Sequence, residues 1–276
     1  MPLPLIDGDV LIHLACRDLW KEKAKIDKRN NISFVKLDQD GHREVAEFTK
    51  EEKSRLLRKY WKIFHEDLKE LLSNLYCTDF LMAVKGSGNF RDTLYPNYKA
   101  NRSNSTMRSL SSNFVPVMRK LAVHEGLAIS SDGREADDFL RIWAEECKSI
   151  NKEYIICSID KDLKCIPGKY YNIKTKKLEV ISEDTAKRNY YGQLLQGDPT
   201  DNIPGIPGCG PKTASKMLAD CITDEEFQEE VVGQYIVEYA DDWYQYLLSN
   251  GKMIHLQKNI NDYFAITNWP VVQGLI

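Results

Sequence analysis

The sequence has no paired cysteine motif and no long apolar run, and these absences exclude several classes of protein. No stretch approaches the roughly 20 apolar residues that span a bilayer, and no basic segment precedes a long apolar one at the N-terminus, as in a secretory signal. The seven cysteines are scattered and include no Cys-x-x-Cys pair, which argues against a zinc site or a disulfide framework. We therefore expect a protein of the reducing cytoplasm with no membrane partner.

The chain also lacks the net positive charge that is typical of proteins that bind nucleic acid. It carries 38 Lys and Arg residues against 41 Asp and Glu residues, a formal net charge of −3. Phosphate backbones are bound by basic surfaces, so the total alone argues against such a partner. The charge is unevenly distributed, however, because residues 95–108 contain Lys99, Arg102 and Arg108 and no acid. This local pattern keeps nucleic acid among the candidates.

Apolar strands alternate with helical segments through the first two thirds of the chain. Strands are predicted at residues 3–6, 79–84, 126–130 and 154–159. Helices are predicted at residues 10–20, 116–125 and 134–147. This alternation predicts an α/β fold with a mostly parallel sheet that is flanked by helices.

Two smaller features lie between these segments. Residues 31–37 and 43–48 flank a turn at 38–41 that contains a glycine, which predicts a hairpin. Thr49 and Glu52 form a capping box at the start of a long helix. The aromatic residues of that helix recur at a helical period, and we predict that they pack in the core.

The pattern changes in the last third of the chain. Short strands are predicted at 170–173 and 178–181, and helices joined by a loop rich in proline and glycine follow them. We therefore predict two domains, an α/β core at residues 1–183 and a helical region at residues 184–276.

Acidic residues stand where apolar strands end or where the next helix begins. They are Asp7, Glu135, Asp137, Asp138, Asp160 and Asp162. Ligand sites in open α/β sheets form beyond the carboxyl ends of the strands, so these acids could converge there. Two carboxylates about 4 Å apart repel by roughly 4 kcal/mol at an effective dielectric constant of 20, so such a cluster needs cations.

The chemistry of that cluster favours a hard divalent metal. Oxygen ligands select Mg²⁺ or Mn²⁺, and two such ions can stabilise both the attacking and the leaving oxygen of a phosphoryl transfer. No Ser/His/Asp or Cys/His pattern competes with this interpretation. Each acidic group taken alone could instead be a turn residue or an acid favoured by a helix dipole. Asp9 is interpreted as a turn residue or as support for Asp7.

Two further segments could contact nucleic acid. The basic strip 89–108 contains Arg91, Tyr98, Lys99 and Arg102, which could pair with phosphates or stack on bases, although it could also be a solvated loop. The segment 197–218 places glycines ahead of a helix start, a pattern that presents free N–H groups to a phosphate. Its relevant residues are Gly205, Gly208, Gly210 and Lys212. The alternative is an ordinary tight loop, in which Asp198 and Asp201 cap or turn the chain.

Four blocks of the sequence together resemble a known family. They are IDGDVL (6–11), NFRDTLYPNYKANR (89–102), EADDF with SIDKDL (135–139 and 158–163), and GDPTDNIPGIPGCGPKTASKML (197–218). Their order and spacing resemble those of the bacteriophage 5′→3′ exonucleases and structure-specific flap endonucleases, including the 5′-nuclease domain of bacterial DNA polymerase I. The resemblance implies a PIN-like nuclease core followed by a helix–three-turn–helix element that binds DNA.

The resemblance also carries roles to individual residues. It implies that eight acids bind metal, namely Asp7, Glu135, Asp137, Asp138, Asp160, Asp162, Asp198 and Asp201. It implies that Lys99 and Arg102 engage the scissile phosphate beside Tyr98, and we add Asp160 to this catalytic set. The turn from Gly205 to Lys212 is implied to grip the duplex backbone, where such proteins often hold a K⁺ ion. Arg91 is expected to contact DNA as part of the basic strip.

The sequence departs from the family pattern at one position. The family usually has an Asp just after the second strand, but AVKGSGNFR (83–91) contains no acid and Gly86 lies near the expected place. One metal ligand is therefore missing, and we expect an active enzyme with weaker affinity for metal.

The resulting hypothesis is a two-metal, Mg²⁺- or Mn²⁺-dependent 5′→3′ DNA exonuclease and 5′-flap endonuclease that acts in replication or in degradation of DNA and RNA primers. Its expected partners are DNA 5′ ends, flaps and nicked duplexes, RNA-primer/DNA hybrids, and separate replication proteins. It is expected to be a monomer in the cytoplasm, that of the host cell if the protein is from a phage. The alternatives are a PIN-like ribonuclease and a non-catalytic DNA-binding protein with a decayed metal site.

Overall fold

A computed structural model describes residues 1–30, 35–37, 43–45, 48–100 and 110–275. The strands are β1 (Leu3–Asp7), β2 (Val35–Leu37), β3 (Arg43–Val45), β4 (Leu81–Val84), β5 (Ile129–Ser130), β6 (Tyr154–Ser158), β7 (Gly168–Asn172) and β8 (Lys177–Ile181). The helices are α1 (Gly8–Ala15), α2 (Leu19–Arg29), α3 (Lys50–Asn74), α4 (Phe90–Leu94), α5 (Val115–His124), α6 (Ala136–Ser149), α7 (Glu183–Gln196), α8 (Pro211–Met217), α9 (Asp224–Tyr239), α10 (Trp243–Ile254) and α11 (Pro270–Gln273).

Six of the strands form one sheet in the order β5-β4-β1-β6-β7-β8. Every neighbouring pair is parallel except β7 and β8, which are antiparallel. The predicted mostly parallel α/β sheet flanked by helices is therefore confirmed. Because β1, β4 and β6 are adjacent and parallel, their carboxyl ends meet at one edge of the sheet. That edge is where a ligand site is expected in such a sheet.

The chain turns from β1 directly into α1 at Asp7. The strand buries Leu5 and Ile6 completely, and the Asp7 side chain then caps α1 by accepting a hydrogen bond from the backbone N–H of Val10 at 3.2 Å. The single helix predicted at 10–20 is wrong in extent, since α1 ends at Ala15 and α2 begins at Leu19. Buried apolar residues continue at a helical spacing across this break, so the sequence pattern did not reveal it.

The long helix α3 begins as predicted. Thr49 and Glu52 form both hydrogen bonds of the capping box. Tyr60 and Phe64 are fully buried, which confirms that the aromatic residues of this helix pack in the core. Each of these rings lies against another aromatic side chain, Tyr60 against Phe114 and Phe64 against Trp61.

Three further predictions differ from the structure in detail. The strand predicted at 126–130 is reduced to the two residues of β5. Helix α4 was not predicted, because it is only five residues long. The hairpin is confirmed where β2 pairs with β3 in antiparallel fashion, whereas its turn at 38–41 lies outside the described residues.

The helical region begins close to the predicted boundary, since α7 starts at Glu183 behind a Ser182 cap. One hydrophobic cluster lies entirely between Tyr191 and Val272, separate from the clusters that pack on the sheet. The division into two domains stays a prediction. No helix in the described part of the chain combines the length and apolarity needed to cross a membrane.

Candidate functional site

A cleft of about 720 Å³ opens at the edge of the sheet where β1, β4 and β6 end. Eight acids line it: Asp7, Asp9, Glu135, Asp137, Asp160, Asp162, Asp198 and Asp201. Four Lys and Arg residues also line it: Lys85, Lys99, Arg119 and Arg134. The fold therefore brings together seven of the eight acids that the sequence predicts as metal ligands, although they come from four separate segments.

Asp7 lies at the base of this cleft, at the end of the central strand. Its Oδ2 accepts a hydrogen bond from the Ser158 hydroxyl at 2.8 Å, which ties the carboxylate to the end of β6. Burial raises the pKa of Asp7 from its usual 3.8 to about 7, and the nearby charges of Asp9 and Asp160 add to the increase. The protein around Asp7 therefore does not provide enough positive charge to stabilise the ionised carboxylate.

The acids that follow β6 are organised by short local bonds. The Ser158 hydroxyl also accepts from the backbone N–H of Asp160 at 3.1 Å, and Asp160 Oδ1 accepts from the N–H of Asp162 at 2.9 Å. Burial raises the pKa of Asp162 to about 7, with further contributions from Asp160 and Asp198. These bonds orient the Asp160 side chain, and the Asp162 side chain accepts a hydrogen bond from Gln193 Nε2 at 2.5 Å.

Asp137 completes this group from the first turn of α6. Burial raises its pKa well above the usual value, and the charges of Asp7 and Asp160 raise it further. Three acids of the cleft therefore have raised pKa values for the same two reasons, burial and mutual repulsion. A bound cation is the usual means of offsetting such repulsion.

Glu135 belongs to a second group of cleft residues, in which cations already neutralise the acids. Lys99 forms an ion pair with Glu135, and its Nζ lies 3.4 Å from Asp201. The Tyr98 hydroxyl donates to Glu135 at 2.9 Å. Burial acts to raise the pKa of Glu135, but Lys99 and Arg91 hold it below its usual value. Lys99 and Tyr98 thus both line the cleft, and their roles at the scissile phosphate stay predictions.

Lys99 also has an unusual backbone. Its φ of 57° lies in the left-handed region that few non-glycine residues adopt, and its N–H donates to the carbonyl of Asp201 at 2.9 Å. Such backbone strain is often found at functional sites, where surrounding contacts maintain it. The contact with Asp201 therefore fixes where the Lys99 side chain enters the cleft.

Asp138 and Arg91 do not line the cleft, so the assignments of Asp138 to metal and of Arg91 to DNA stay predictions that its geometry does not support. Both side chains are fully buried, and they form a two-pronged ion pair at 2.7 and 2.9 Å. Asp138 also accepts from the backbone N–H groups of Glu135 and Gln257, which fills the roughly four lone-pair sites of a carboxylate. No local pattern signals this pair, because its members are 47 residues apart in the sequence.

The glycine segment is a loop between α7 and α8. Asp198 and Asp201 lie in the cleft, whereas Gly208, Gly210 and Lys212 are not among its lining residues. Lys212 is exposed in the first turn of α8. Gly205 has a φ of 61°, so the chain needs glycine there. Arg102 and Arg108, predicted in the basic strip, lie outside the described residues.

Sequence reasoning missed three of the basic residues in the cleft. Lys85 follows β4, Arg119 comes from α5, and Arg134 precedes α6. The position of Lys85 after a strand that ends at this edge of the sheet was a signal that could have identified it. Arg119 lies in the middle of an amphipathic helix and carries no such signal. Its Nε donates to Asp9 Oδ1 at 2.7 Å.

The donors of the cleft are suited to a hard divalent cation. They are carboxylate oxygens, the ligand type that Mg²⁺ and Mn²⁺ prefer. Among the described residues, no three His, Cys, Asp or Glu side chains form a group that could enclose one ion. Mg²⁺ fits this arrangement because it usually retains several waters and binds only one or two carboxylates.

The sheet and its acidic cleft define a class, the PIN-like α/β nuclease fold. The chain belongs to the 5′→3′ exonuclease family, since residues 49–192 match the model of the "5'-3' exonuclease, N-terminal resolvase-like domain". It is 33% identical over 140 residues to DNA polymerase I of Rhizobium leguminosarum, spanning 48% of this chain but 14% of that polymerase. It is 24% identical over 229 residues to a 5′→3′ exonuclease of Mycoplasma genitalium, covering 78% of this chain and 70% of that protein.

A solved structure has the same fold. The bacteriophage T5 D15 flap endonuclease, in a pseudo-enzyme-product complex with DNA and metal ions, superposes with a TM-score of 0.56. The match covers 92% of this chain and 93% of that chain at 14% sequence identity. This likeness supports the PIN-like fold class that was predicted.

Proposed function

We propose that this chain is a divalent-metal-dependent nuclease that acts as a 5′→3′ DNA exonuclease and 5′-flap endonuclease, releasing 5′-phosphate products. The observation that carries the proposal is the convergence of Asp7, Asp137 and Asp162 in one cleft, where burial and neighbouring carboxylates raise the pKa of each. A protein gains nothing in stability from such a group. A site for cations that bind phosphodiester substrates accounts for it.

In this proposal each group of cleft residues has a separate task. Asp7, Asp137, Asp160 and Asp162 would hold Mg²⁺ or Mn²⁺, as two ions. When bound, these ions supply Lewis-acid stabilisation of the charge that develops on the reacting phosphate. Asp198, Asp201 and Glu135 would complete the negative field around them.

Lys99 is the residue that we propose to engage the scissile phosphate. Its ammonium already lies among acids, so a substrate phosphate would replace Glu135 as its partner. Tyr98 donates to Glu135 and would keep that carboxylate in place when Lys99 moves. Arg102 is proposed as the second cation at this phosphate, on the resemblance alone.

The proposed binding surface for duplex DNA is the turn from Gly205 to Lys212. Glycines allow close approach of a backbone, and α8 begins with exposed Lys212 next to Pro211. We propose that this turn is the helix–three-turn–helix element and that it binds a K⁺ ion. The T5 relative was solved with DNA and metal ions, which supports DNA as a partner, whereas the K⁺ ion rests on the family resemblance alone.

A cleavage assay tests the proposal. Duplexes with a 5′ flap, a nick or a blunt end are incubated with the protein in Mg²⁺ and in EDTA, together with a matched RNA flap. We expect Mg²⁺-dependent cleavage of DNA from 5′ ends or at the flap junction. Cleavage of the RNA flap alone would support the ribonuclease alternative, and tight binding without cleavage would support the non-catalytic one.

The Asp160→Asn variant tests the assignment of the metal site. We expect the cleavage rate to fall by at least about a hundredfold, because losing a ligand removes several kcal/mol of charge stabilisation in the transition state. DNA binding measured by fluorescence anisotropy should stay within a few fold of the wild type. Asp184→Asn, at an exposed position on α7 outside the cleft, is the matched control. Unchanged cleavage by Asp160→Asn would overturn the assignment.

A further inference from the structure

Asp9 occupies a position in the cleft that neither the sequence pattern nor the proposed mechanism uses. It is the second residue of α1, and its two carboxylate oxygens are held from different elements. Oδ1 accepts from Arg119 Nε of α5 at 2.7 Å, and Oδ2 accepts from the backbone N–H of Lys85 at 3.1 Å. The second bond places the carboxylate of Asp9 beside the end of β4.

Asp7 and Asp9 therefore approach the cleft from two sides of the central strand. Asp7 is tied to the end of β6 through Ser158, whereas Asp9 is tied to the residue after β4. Both line the same cleft, and the charge of Asp9 is the second largest cause of the raised pKa of Asp7. The hydrogen bonds of Asp7 and Asp9 thus hold two carboxylates in one cleft, one beside the end of β6 and the other beside the end of β4.

The loop after β4 cannot itself supply a carboxylate at Gly86. A Cβ at this position would lie 2.5 Å from Asp132 Oδ1 and 2.6 Å from the Ser130 hydroxyl. Asp132 is fixed there, because its Oδ1 accepts from both the N–H and the hydroxyl of Ser87 at 2.7 and 2.8 Å. Any acid at this corner of the cleft must therefore come from another element, and Asp9 is in reach of it.

Asp9 also retains free capacity for a ligand. A carboxylate has roughly four lone-pair sites, and among the described residues Arg119 and Lys85 occupy two of those on Asp9. Asp7 is in the same condition, with Val10 and Ser158 as donors. Asp138 differs from both, because four donors occupy the lone-pair sites of its carboxylate and its side chain is fully buried.

We propose that Asp9 is a ligand of the divalent cation held by Asp7, and that its ion pair with Arg119 competes with the cation for the carboxylate. Asp9 supplies, from the first turn of α1, the carboxylate that the loop after β4 lacks. This inference rests on the proposed function, since it assumes that the cleft binds metal. A ligand at Asp9 would explain how the cleft binds metal although position 86 is a glycine and not an acid.

Two substitutions distinguish a metal ligand at position 9 from a residue that only holds the Arg119 side chain in place. If Asp9 binds the cation, Asp9→Asn weakens metal binding, whereas Arg119→Gln removes a competing positive charge and leaves affinity equal or higher. If Asp9 only anchors Arg119, both variants disturb the same contact and change affinity in the same direction. Asp184→Asn is a matched control, because Asp184 is also the second residue of its helix and also accepts from an arginine Nε, that of Arg188.

The experiment is a titration of the EDTA-treated full chain with Mn²⁺ in the absence of DNA, in which electron paramagnetic resonance measures the free ion. We expect Asp9→Asn to weaken Mn²⁺ binding at least about tenfold. Arg119→Gln should bind as tightly as the wild type or more tightly, and Asp184→Asn should lie within twofold of it. Asp9→Ser, which suits a helix start, is the second variant if Asp9→Asn does not fold.

The outcomes distinguish this inference from the proposed function. Equal Mn²⁺ affinity in Asp9→Asn and the wild type would overturn the role of Asp9 and leave the nuclease proposal standing. Equal losses in Asp9→Asn and Arg119→Gln would also overturn it, in favour of a residue that only holds the Arg119 side chain in place. A wild-type protein that binds no Mn²⁺ and cleaves no DNA would overturn both.

Discussion

At the scale of single residues, two aspartates with the same side chain have opposite roles because their partners differ. Asp137 and Asp138 are neighbours in the first turn of α6, yet burial and other acids raise the pKa of Asp137. Burial alone would also raise the pKa of Asp138, but its bonds to Arg91 lower it below the usual value. A carboxylate that protein donors satisfy stabilises the fold, and one that faces other carboxylates is available to a cation.

The pair of Arg91 and Asp138 gives a prediction about stability. Asp138→Asn should lower the free energy of unfolding by about 3–5 kcal/mol, because it leaves a buried guanidinium without its counter-charge. Urea unfolding followed by circular dichroism measures this. Glu66→Gln, which breaks an exposed pair with Lys62, is the control and should change stability by less than about 1 kcal/mol. Equal effects of the two variants would contradict the structural role.

The raised pKa of Asp162 predicts how stability depends on pH when EDTA is present. The folded pKa of about 7 exceeds the usual 3.8, so between these values the folded state binds more protons than the unfolded state. Stability from this group is therefore complete below about pH 4 and declines as the pH rises toward 7. Urea unfolding from pH 5 to 8 should show a steeper decline for the wild type than for Asp162→Asn. A steeper decline for the variant would contradict the assignment.

At the scale of elements, the loop between α7 and α8 depends on close contacts of its backbone. Gly197 and Gly205 both have positive φ, and they lie directly against each other's backbone. Ile206 donates to the carbonyl of Leu195 at 2.7 Å, and Asp198 pairs with Ile203. These contacts fold the loop back on the end of α7, and they hold Asp198 and Asp201 at the cleft.

Two glycines of this loop form a matched pair for a prediction. A Cβ at Gly205 would lie 2.3 Å from the backbone of Gln196 and Gly197, whereas a Cβ at Gly208 would meet nothing within 4 Å. Gly208→Ala should cost about 1–2 kcal/mol from its positive φ alone. Gly205→Ala should cost more and should weaken duplex DNA binding, as measured by thermal unfolding and fluorescence anisotropy. Equal effects of the two variants would contradict this packing.

At the scale of the whole molecule, a C-terminal segment at residues 253–257 contacts the buried ion pair of Arg91 and Asp138. Arg91 donates to the carbonyl of Met253 at 2.9 Å and to that of His255 at 2.6 Å. Gln257 donates its backbone N–H to Asp138. The buried ion pair next to Glu135 therefore joins α4, α6 and the end of α10, and the helical region contributes directly to the arrangement of the site.

This connection predicts that the chain unfolds as one unit. Differential scanning calorimetry should give a single transition whose calorimetric enthalpy equals its van't Hoff enthalpy. The physical reason is that the buried Arg91 loses two acceptors if the C-terminal segment separates. Two resolved transitions would contradict this expectation, and they would instead support independent domains at 1–183 and 184–276.

Much of the architecture and most of the site could be predicted from the sequence, because both depend on local patterns. Asp7 at the end of one apolar strand, Asp160 shortly after another, and Glu135 at the cap of a helix identify the acidic edge of a parallel sheet without any coordinates. The capping box at Thr49 and the glycine turn are equally local. The resemblance to family motifs added the expected DNA substrate and the 5′→3′ direction of cleavage.

Only the tertiary structure decided which of the predicted residues face the cleft. Asp138 and Arg91 belong to motifs of the site, but they satisfy each other in the core because the fold brings two distant segments together. Asp9, which the sequence left as either a turn residue or support for Asp7, lies in the cleft, where Arg119 of α5 donates to it. Sequence fixes the chemical type of each side chain and its secondary structure. Burial and long-range partners, which set the charge state of a side chain and its access to ligands, exist only in the folded chain.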